Sequence, residues 1–185
     1  AQHAKGRTLA LQALQALDDA TLQAVLSRWL VVEGLPPLPV RHWPRLRREL
    51  LNARADSTPE IRWADASLRR YRQTLYLLAM ADFPAAITAT DWPDPRQPLV
   101  WADRYWPPVA LPDDHPLLTQ PWRLAPRTGG ERWQPAGRTH HVTLKHWCQE
   151  QGIPPWQRQA LTCVWEGDEI VMVVLADGSV HLAAV

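Results

Sequence analysis

Apolar residues recur at helical spacing over residues 8–34, where Leu22, Val25, Leu26, Trp29 and Val32 share one side. Asp18 or Asp19 can cap a helix start, and Gly34 suits the position just past the end, so the pattern predicts a helix over 8–34. The run LPPLP at 35–39 must break it, because proline offers no N–H and clashes with the preceding turn. A second helix, from Trp43 or Pro44 to Arg54, is predicted from the stripe Leu46, Leu50 and Leu51. Between 59 and 78 the period changes: Ile61 and Trp63 alternate, as do Leu75 and Leu77, which predicts a small β-meander with turns at ADAS and QT. Residues 81–121 contain nine prolines and read as a connector with at most short strands near Leu99–Trp101 and Val109–Leu111. Residues 122–127 form a strand pattern. Thr143 can cap a helix with Leu144, Trp147, Cys148 and Gln151 on one face, and Gly152 stops it. Pro154, Pro155 and Trp156 then make a rigid turn, with Pro155 able to start a short helical turn. Strands follow at 161–166, 170–175 and near 180–184. The predicted fold class is α+β: a helical domain with a small β-meander over 1–80, a proline-rich connector over 81–118, and a C-terminal domain over 119–185 with one main helix on an antiparallel sheet.

A length of 185 residues allows one large domain or two small ones, and a hydrophobic content of 46% is that of a folded protein. The longest apolar run, IVMVVLA at 170–176, is strand-sized, well short of the ~18 residues of a membrane span, so no membrane association is expected. The first residues lack the zones of a signal peptide, and two cysteines make no disulfide framework; a reduced, cytoplasmic setting is the expectation. There is no initiator Met, which suggests a piece of a longer protein. The formal net charge of +1 hides a gradient. Residues 1–80 carry 12 Lys/Arg against 7 Asp/Glu, whereas residues 81–122 carry 2 against 6. Eighteen of the 20 basic residues are Arg, whose planar fork suits phosphate; coding bias accounts for such a count equally well. The 11 Trp leave the same choice between core filling and base stacking.

Catalytic signatures are absent: no phosphate-binding P-loop, no nucleophile elbow, no dinucleotide fingerprint and no paired-cysteine motif. His140, His141, His146 and Cys148 are the densest set of metal-type ligands, but their spacing fits no tetrahedral zinc pattern. Cys148 falls on an apolar helix face, which argues against a nucleophile. No catalytic and no metal-binding residue is therefore assigned. The arginines at 41, 45, 47, 48 and 54, with Arg69, Arg70 and Arg72, either track a phosphate backbone or form a solvated surface. Gly129 and Gly130 permit positive φ beside Arg127, Arg132, Arg138 and Lys145; that turn either cradles an anion or is an ordinary hairpin with a charged rim.

The stretches GGERWQPAGR (129–138), TLKHWCQEQGIPPWQR (143–158) and VWEGDEIVMV (164–173) resemble the C-terminal domain of the bacterial tRNA(Ile)-lysidine synthetase family. LSRWLVVEGLPPLP (26–39) and LLNARADSTPEIRWADASLRRYRQTLYLL (50–78) resemble the same family's substrate-binding domain. The resemblance implies an ATP-dependent tRNA-modifying ligase that adenylates the wobble cytidine of the CAU anticodon and attaches lysine. It places that chemistry, with ATP and Mg, in an N-terminal PP-loop domain whose phosphate loop this sequence does not contain. The chain is then expected to be the noncatalytic tRNA-binding portion, with no cofactor of its own. Its expected partners are tRNA(Ile) bearing CAU and its own catalytic domain, and homodimerisation is left open. On this resemblance Arg45, Arg48, Arg70, Arg72, Arg132, Arg138, Lys145 and Arg158 are the expected RNA contacts, and Gly129, Gly130, Pro154, Pro155 and Trp156 the turn-forming residues. The competing expectation is a packing or dimerisation module whose arginines are merely solvated.

Overall fold

The computed structural model describes residues 7–54, 57–83, 87–110, 112, 115, 118 and 120–184. The chain divides into two compact units, Ala1–Phe83 and Pro84–Val185. Both mix helices with antiparallel sheet, so the fold class is α+β.

In the first unit the predicted long helix is subdivided. Thr8–Ala10 is a strand, β1, followed by α1 (Leu11–Gln15) and α2 (Asp19–Val32). A sheet edge decides this: β1 pairs antiparallel with β4 (Thr74–Ala79), Leu9 opposite Leu75, and supplies hydrogen bonds that a first helical turn lacks. Asp18 then restarts the helix, its carboxylate accepting from Thr21 N at 2.9 Å. At the other end Gly34 has φ +66°, and Leu35 N reaches back to Leu30 O at 2.9 Å, the bond of a Schellman stop. Leu22, Leu26 and Leu30 are the buried stripe of α2.

The second predicted helix begins as α3 (Trp43–Arg45) and widens into a π-type segment, Leu46–Leu51, closed by Asn52 N to Arg47 O at 2.8 Å. The segment buries Leu46, Leu50 and Leu51, the stripe that predicts the helix. The meander is β2 (Glu60–Trp63), β3 (Ala66–Tyr71) and β4, and the sheet order is β1-β4-β3-β2. Its inward Ile61, Leu68, Leu75 and Leu77 meet the leucines of α1, α2 and the π segment in one core.

In the second unit the proline-rich stretch holds the strand expected near Leu99–Trp101 and two more that the sequence does not predict. Within the proline-rich stretch lie β5 (Thr90–Trp92) and a hairpin of β6 (Leu99–Trp101) and β7 (Arg104–Trp106). The prolines bracket these strands and none falls inside them, so no ladder N–H is lost. Val109 and Ala110 are not in a strand, and Leu111 lies outside the described residues. β5 extends a five-stranded antiparallel sheet of order β13-β12-β11-β8-β5, with β8 Trp122–Pro126, β11 Thr162–Glu166, β12 Glu169–Val174 and β13 Val180–Leu182.

Both faces of that sheet are covered. Cys163 and Val173 face a core made by Trp133 of β9 (Arg132–Trp133), Val142 of β10 (Val142–Thr143), and Leu144, Trp147 and Cys148 of α4 (Leu144–Glu150). Val164 and Met172 face the other way, onto Trp92, Trp106 and Trp122. A bulge sets Val164 opposite Met172 but Trp165 opposite Ile170, so Ile170 and Val173 join the same core although an even number of residues, Val171 and Met172, lies between them. Edge-on tryptophan pairs fill the interior, Trp133–Trp147 at 4.9 Å and Trp92–Trp122 at 5.8 Å. No helix among the described residues is long and apolar enough to cross a membrane.

Candidate nucleic-acid interface

The predicted cations separate into two kinds. Arg70, on the inward side of β3, is only 5% exposed. Its Nη1 donates to the carbonyls of Leu51 at 3.1 Å and Ala53 at 2.6 Å, and more weakly to Leu50 at 3.4 Å, while Nε reaches Arg72 O at 3.2 Å. The carbonyls of Leu50, Leu51 and Ala53 lie at the end of the π segment, where Leu51 O also accepts from Gln15 Nε2 at 2.8 Å, so Arg70 closes that end from inside and is not available to RNA. Arg158 has the same fate. It ends α5 (Pro155–Arg158) and is buried, with Nε donating to Ile153 O at 2.8 Å. Both expected RNA contacts are corrected to internal clamps. Trp156 is buried on α5, Pro154 stands at its N-cap and Pro155 at its first position, a turn-forming role.

The remaining cations face solvent. Arg45 and Arg48 flank Glu49 and donate to its two oxygens, each at 2.7 Å; their side chains are 55% and 78% exposed. Hydrogen bonds from Arg48 and then Arg45, acting against a small effect of burial, hold Glu49 below the usual carboxylate range. Arg72 is exposed in the β3–β4 turn at φ +53°, with its guanidinium 5.4 Å from the Tyr71 ring. Other arginines of the sequence cluster are tied locally: Arg47 to Asp19 at 2.8 Å and Leu17 O at 2.7 Å, Arg69 to Glu60 at 2.8 Å. Arg41 is exposed and donates to His42 Nε2 at 3.3 Å. Burial, with Arg41 and Arg45 nearby, pushes the His42 imidazole toward its neutral form.

In the second unit Arg132 and Lys145 are exposed. Arg132 lies on β9 opposite Thr143 and makes one long contact, Nη2 to His141 O at 3.4 Å. Lys145 has no hydrogen bond or ion pair with the described residues. Thr143 caps α4 by accepting from His146 N at 3.2 Å. Arg138 is half-buried and donates to Glu150 Oε2 at 2.6 Å, and Glu150 Oε1 also meets His146 Nε2 at 3.2 Å.

The Gly-Gly turn decides the choice the sequence left open. Gly129 and Gly130 have φ +106° and +85°, and the amides of Thr128 and Gly129 point at Glu131. Glu131 Oε1 accepts from Thr128 N and Gly129 N, both at 2.5 Å, and from Thr128 Oγ1 at 3.1 Å. Burial works to raise its pKa, yet the donations from Gly129 and Thr128 together outweigh it and hold the carboxylate below its usual range. Arg127 Nε stands 3.3 Å from Glu131 Oε2, close enough for charge pairing but too far off axis for a hydrogen bond. The turn therefore cradles an anion, and the anion is its own side chain.

Nucleophilic chemistry finds no support here. Cys148 and Cys163 are buried, burial raises both thiols, and Cys163 is pushed up to about 12. Among the described residues no group of three His, Cys, Asp or Glu is placed to hold a metal ion. The carboxylates Glu49, Glu131 and Glu150 had not been singled out from sequence. The i,i+4 spacings of Arg45 with Glu49 and of His146 with Glu150 are readable signals; the contacts of Glu131 with the turn amides and of Glu150 with Arg138 depend on turns that only folding forms.

Comparison with known proteins agrees with this division. Residues 9–76 match the family model of the TilS substrate binding domain, and residues 122–178 match that of the TilS substrate C-terminal domain. The tRNA(Ile)-lysidine synthase of Xylella fastidiosa (strain Temecula1) is 37% identical over 188 residues, which is 95% of this chain and 40% of that protein. That of Methylococcus capsulatus is 36% identical over 165 residues, covering 85% of this chain and 37% of that protein, and that of Ralstonia nicotianae is 34% identical over 186 residues, covering 92% and 40%. The chain spans about two-fifths of the length of these curated relatives. Carrying both domains in this order, and aligned to these relatives over most of its length, the chain belongs to the tRNA(Ile)-lysidine synthase (TilS) family.

Proposed function

We propose that this chain is the tRNA-gripping, noncatalytic portion of a tRNA(Ile)-lysidine synthase. In this reading the ATP- and Mg-dependent conversion of the wobble cytidine of the CAU anticodon to lysidine takes place in an N-terminal catalytic domain, in the cytoplasm. The observation that carries the proposal is that each of the two matched substrate domains presents cations to solvent: Arg45, Arg48 and Arg72 in one, Arg132, Arg138 and Lys145 in the other. Guanidinium and ammonium groups on separate small surfaces suit contacts to phosphate and sugar, which is how a protein grips an A-form RNA whose base edges lie deep in its groove.

Equilibrium binding to an unmodified tRNA(Ile) transcript bearing CAU, against an elongator tRNA(Met), over a salt series tests the proposal. Binding that weakens steeply with salt and prefers tRNA(Ile) is expected, because each neutralised phosphate releases counterions. Reversing Arg132 and Lys145 to Glu should weaken binding and flatten the salt slope. A second reading, that the chain is an interdomain or dimer packing module, is favoured by Val31 and Val32, which stand 66% and 64% exposed on α2. That reading gains if the salt series detects no binding, and the same experiment on the full-length enzyme then asks whether the grip needs the catalytic domain.

A further inference from the structure

In the first unit two outward arginines share one carboxylate, and in the second Arg138 shares one with the His146 imidazole. Glu49 takes Arg45 on Oε2 and Arg48 on Oε1, both at 2.7 Å. Glu150 takes Arg138 on Oε2 at 2.6 Å and His146 on Oε1 at 3.2 Å. Neither Glu is buried as Glu131 is: their side chains are 35% and 33% exposed, and neither satisfies a backbone group in the way Glu131 does. Exposed pairs of this kind add little to folding stability. Their effect on an incoming phosphate is larger in consequence, because a phosphate oxygen and a carboxylate oxygen compete for the same guanidinium N–H groups.

We infer that Glu49 and Glu150 are internal competitors of the RNA backbone: in the free protein Glu49 holds Arg45 and Arg48, and Glu150 holds Arg138 beside the His146 imidazole, and each yields its arginines when phosphate arrives. This rests on the RNA-binding reading and adds its regulation. Each bridged set keeps its cations neutralised in part and fixed in position, so binding is an exchange of carboxylate for phosphate. The arrangement caps the affinity, which suits an enzyme portion that must release its RNA after each turnover.

The test is tRNA binding across a salt series with Glu49→Gln and Glu150→Gln, which keep side-chain shape and remove the charge. Ala at the same positions is the second variant, and a thermal melt checks folding of each. Both Gln variants are expected to bind about two- to fivefold tighter, the reach of an exposed ion pair. The slope of log K against log salt should steepen by roughly 0.9 for each further phosphate neutralised. Asp168→Asn, in the exposed β11–β12 turn, makes the same change in net charge without touching a bridged cation and should do less. In an Arg138→Ala background the gain from Glu150→Gln should shrink, the coupling expected of residues in contact.

Gains no larger than that of Asp168→Asn, with Arg132→Glu and Lys145→Glu still weakening binding, would overturn the competitor role and leave the RNA-binding reading standing. Weaker binding by the Gln variants would also overturn it, by showing that the carboxylates aim the cations at RNA. If Arg132→Glu and Lys145→Glu change nothing, the binding reading fails and this inference fails with it.

Discussion

Arg70 and Glu131 are buried charges that do opposite work in the two units. Arg70 gathers carbonyl oxygens at the C-terminal end of the π segment. Glu131 gathers amide N–H groups at the Gly-Gly turn. Each satisfies backbone groups at a point of irregular local geometry, and each is thereby unavailable to a ligand. Arg45 and Arg48 are the contrast within the first unit: the same residue type on the outer side, paired only with an exposed Glu49. Residue type therefore does not separate a surface cation from a clamp; burial against backbone acceptors does.

The comparison can be broken by unequal losses of stability. Arg70→Met should have the largest effect, about 3 kcal/mol or more in urea unfolding, because several buried carbonyls lose their donor at once. A loss under 1 kcal/mol would mean that water or a neighbouring side chain replaces the guanidinium. Glu131→Gln should follow at about 2 kcal/mol, since a charge-assisted acceptor of two amides becomes a neutral one. The pH dependence sharpens this prediction. The folded Glu131 has its pKa below the ordinary value, so its contribution is fully present above that value and is lost as pH falls through the folded pKa. Wild-type protein should lose stability along that acid limb, and Glu131→Gln should remove part of the limb; an unchanged profile would deny the carboxylate its role in the turn.

Smaller effects complete the series. Gly129→Ala should cost about 1–2 kcal/mol through its positive φ alone, because an added Cβ would meet nothing within 4 Å. Arg48→Ala should change stability by less than about 0.5 kcal/mol. Thermal melts of the four variants side by side place them in this order, and a large effect of Arg48→Ala would remove the distinction between clamp and surface cation.

Two tryptophan-lined faces and one leucine core also show how far local pattern reaches. Leu22 and Leu26 of the predicted stripe, the stop at Gly34, the alternation of Ile61 with Trp63 and the cap at Thr143 are short-range signals that folding keeps, whereas Val25 and Val32 of that stripe stand 37% and 64% exposed and Leu30 is buried instead. The division of residues 8–34 is different: Thr8–Ala10 joins a sheet edge formed by Thr74–Tyr76, more than 60 residues away, and nothing local announces that partner. The proline-rich stretch is legible only in part, its strand at Leu99–Trp101 but not those at Thr90–Trp92 and Arg104–Trp106, for a related reason. Nine prolines describe what the chain cannot do at those positions, whereas Trp92 and Trp106 between them find a core supplied by Trp122, Val164 and Met172.

The candidate site was legible in the same partial way. The sequence determined the supply of arginines, the Gly-Gly turn, the helix caps and, through GGERW and IPPWQR, the family resemblance that the domain matches support. Only the tertiary structure decided which arginines remain outside. Arg70 and Arg72 lie two residues apart; the first turns in to the carbonyls of Leu51 and Ala53, and the second stays in a solvent-facing turn. Helical and strand periods are set by neighbours along the chain, but a guanidinium goes where unsatisfied oxygens collect, and those come from segments brought together only by folding.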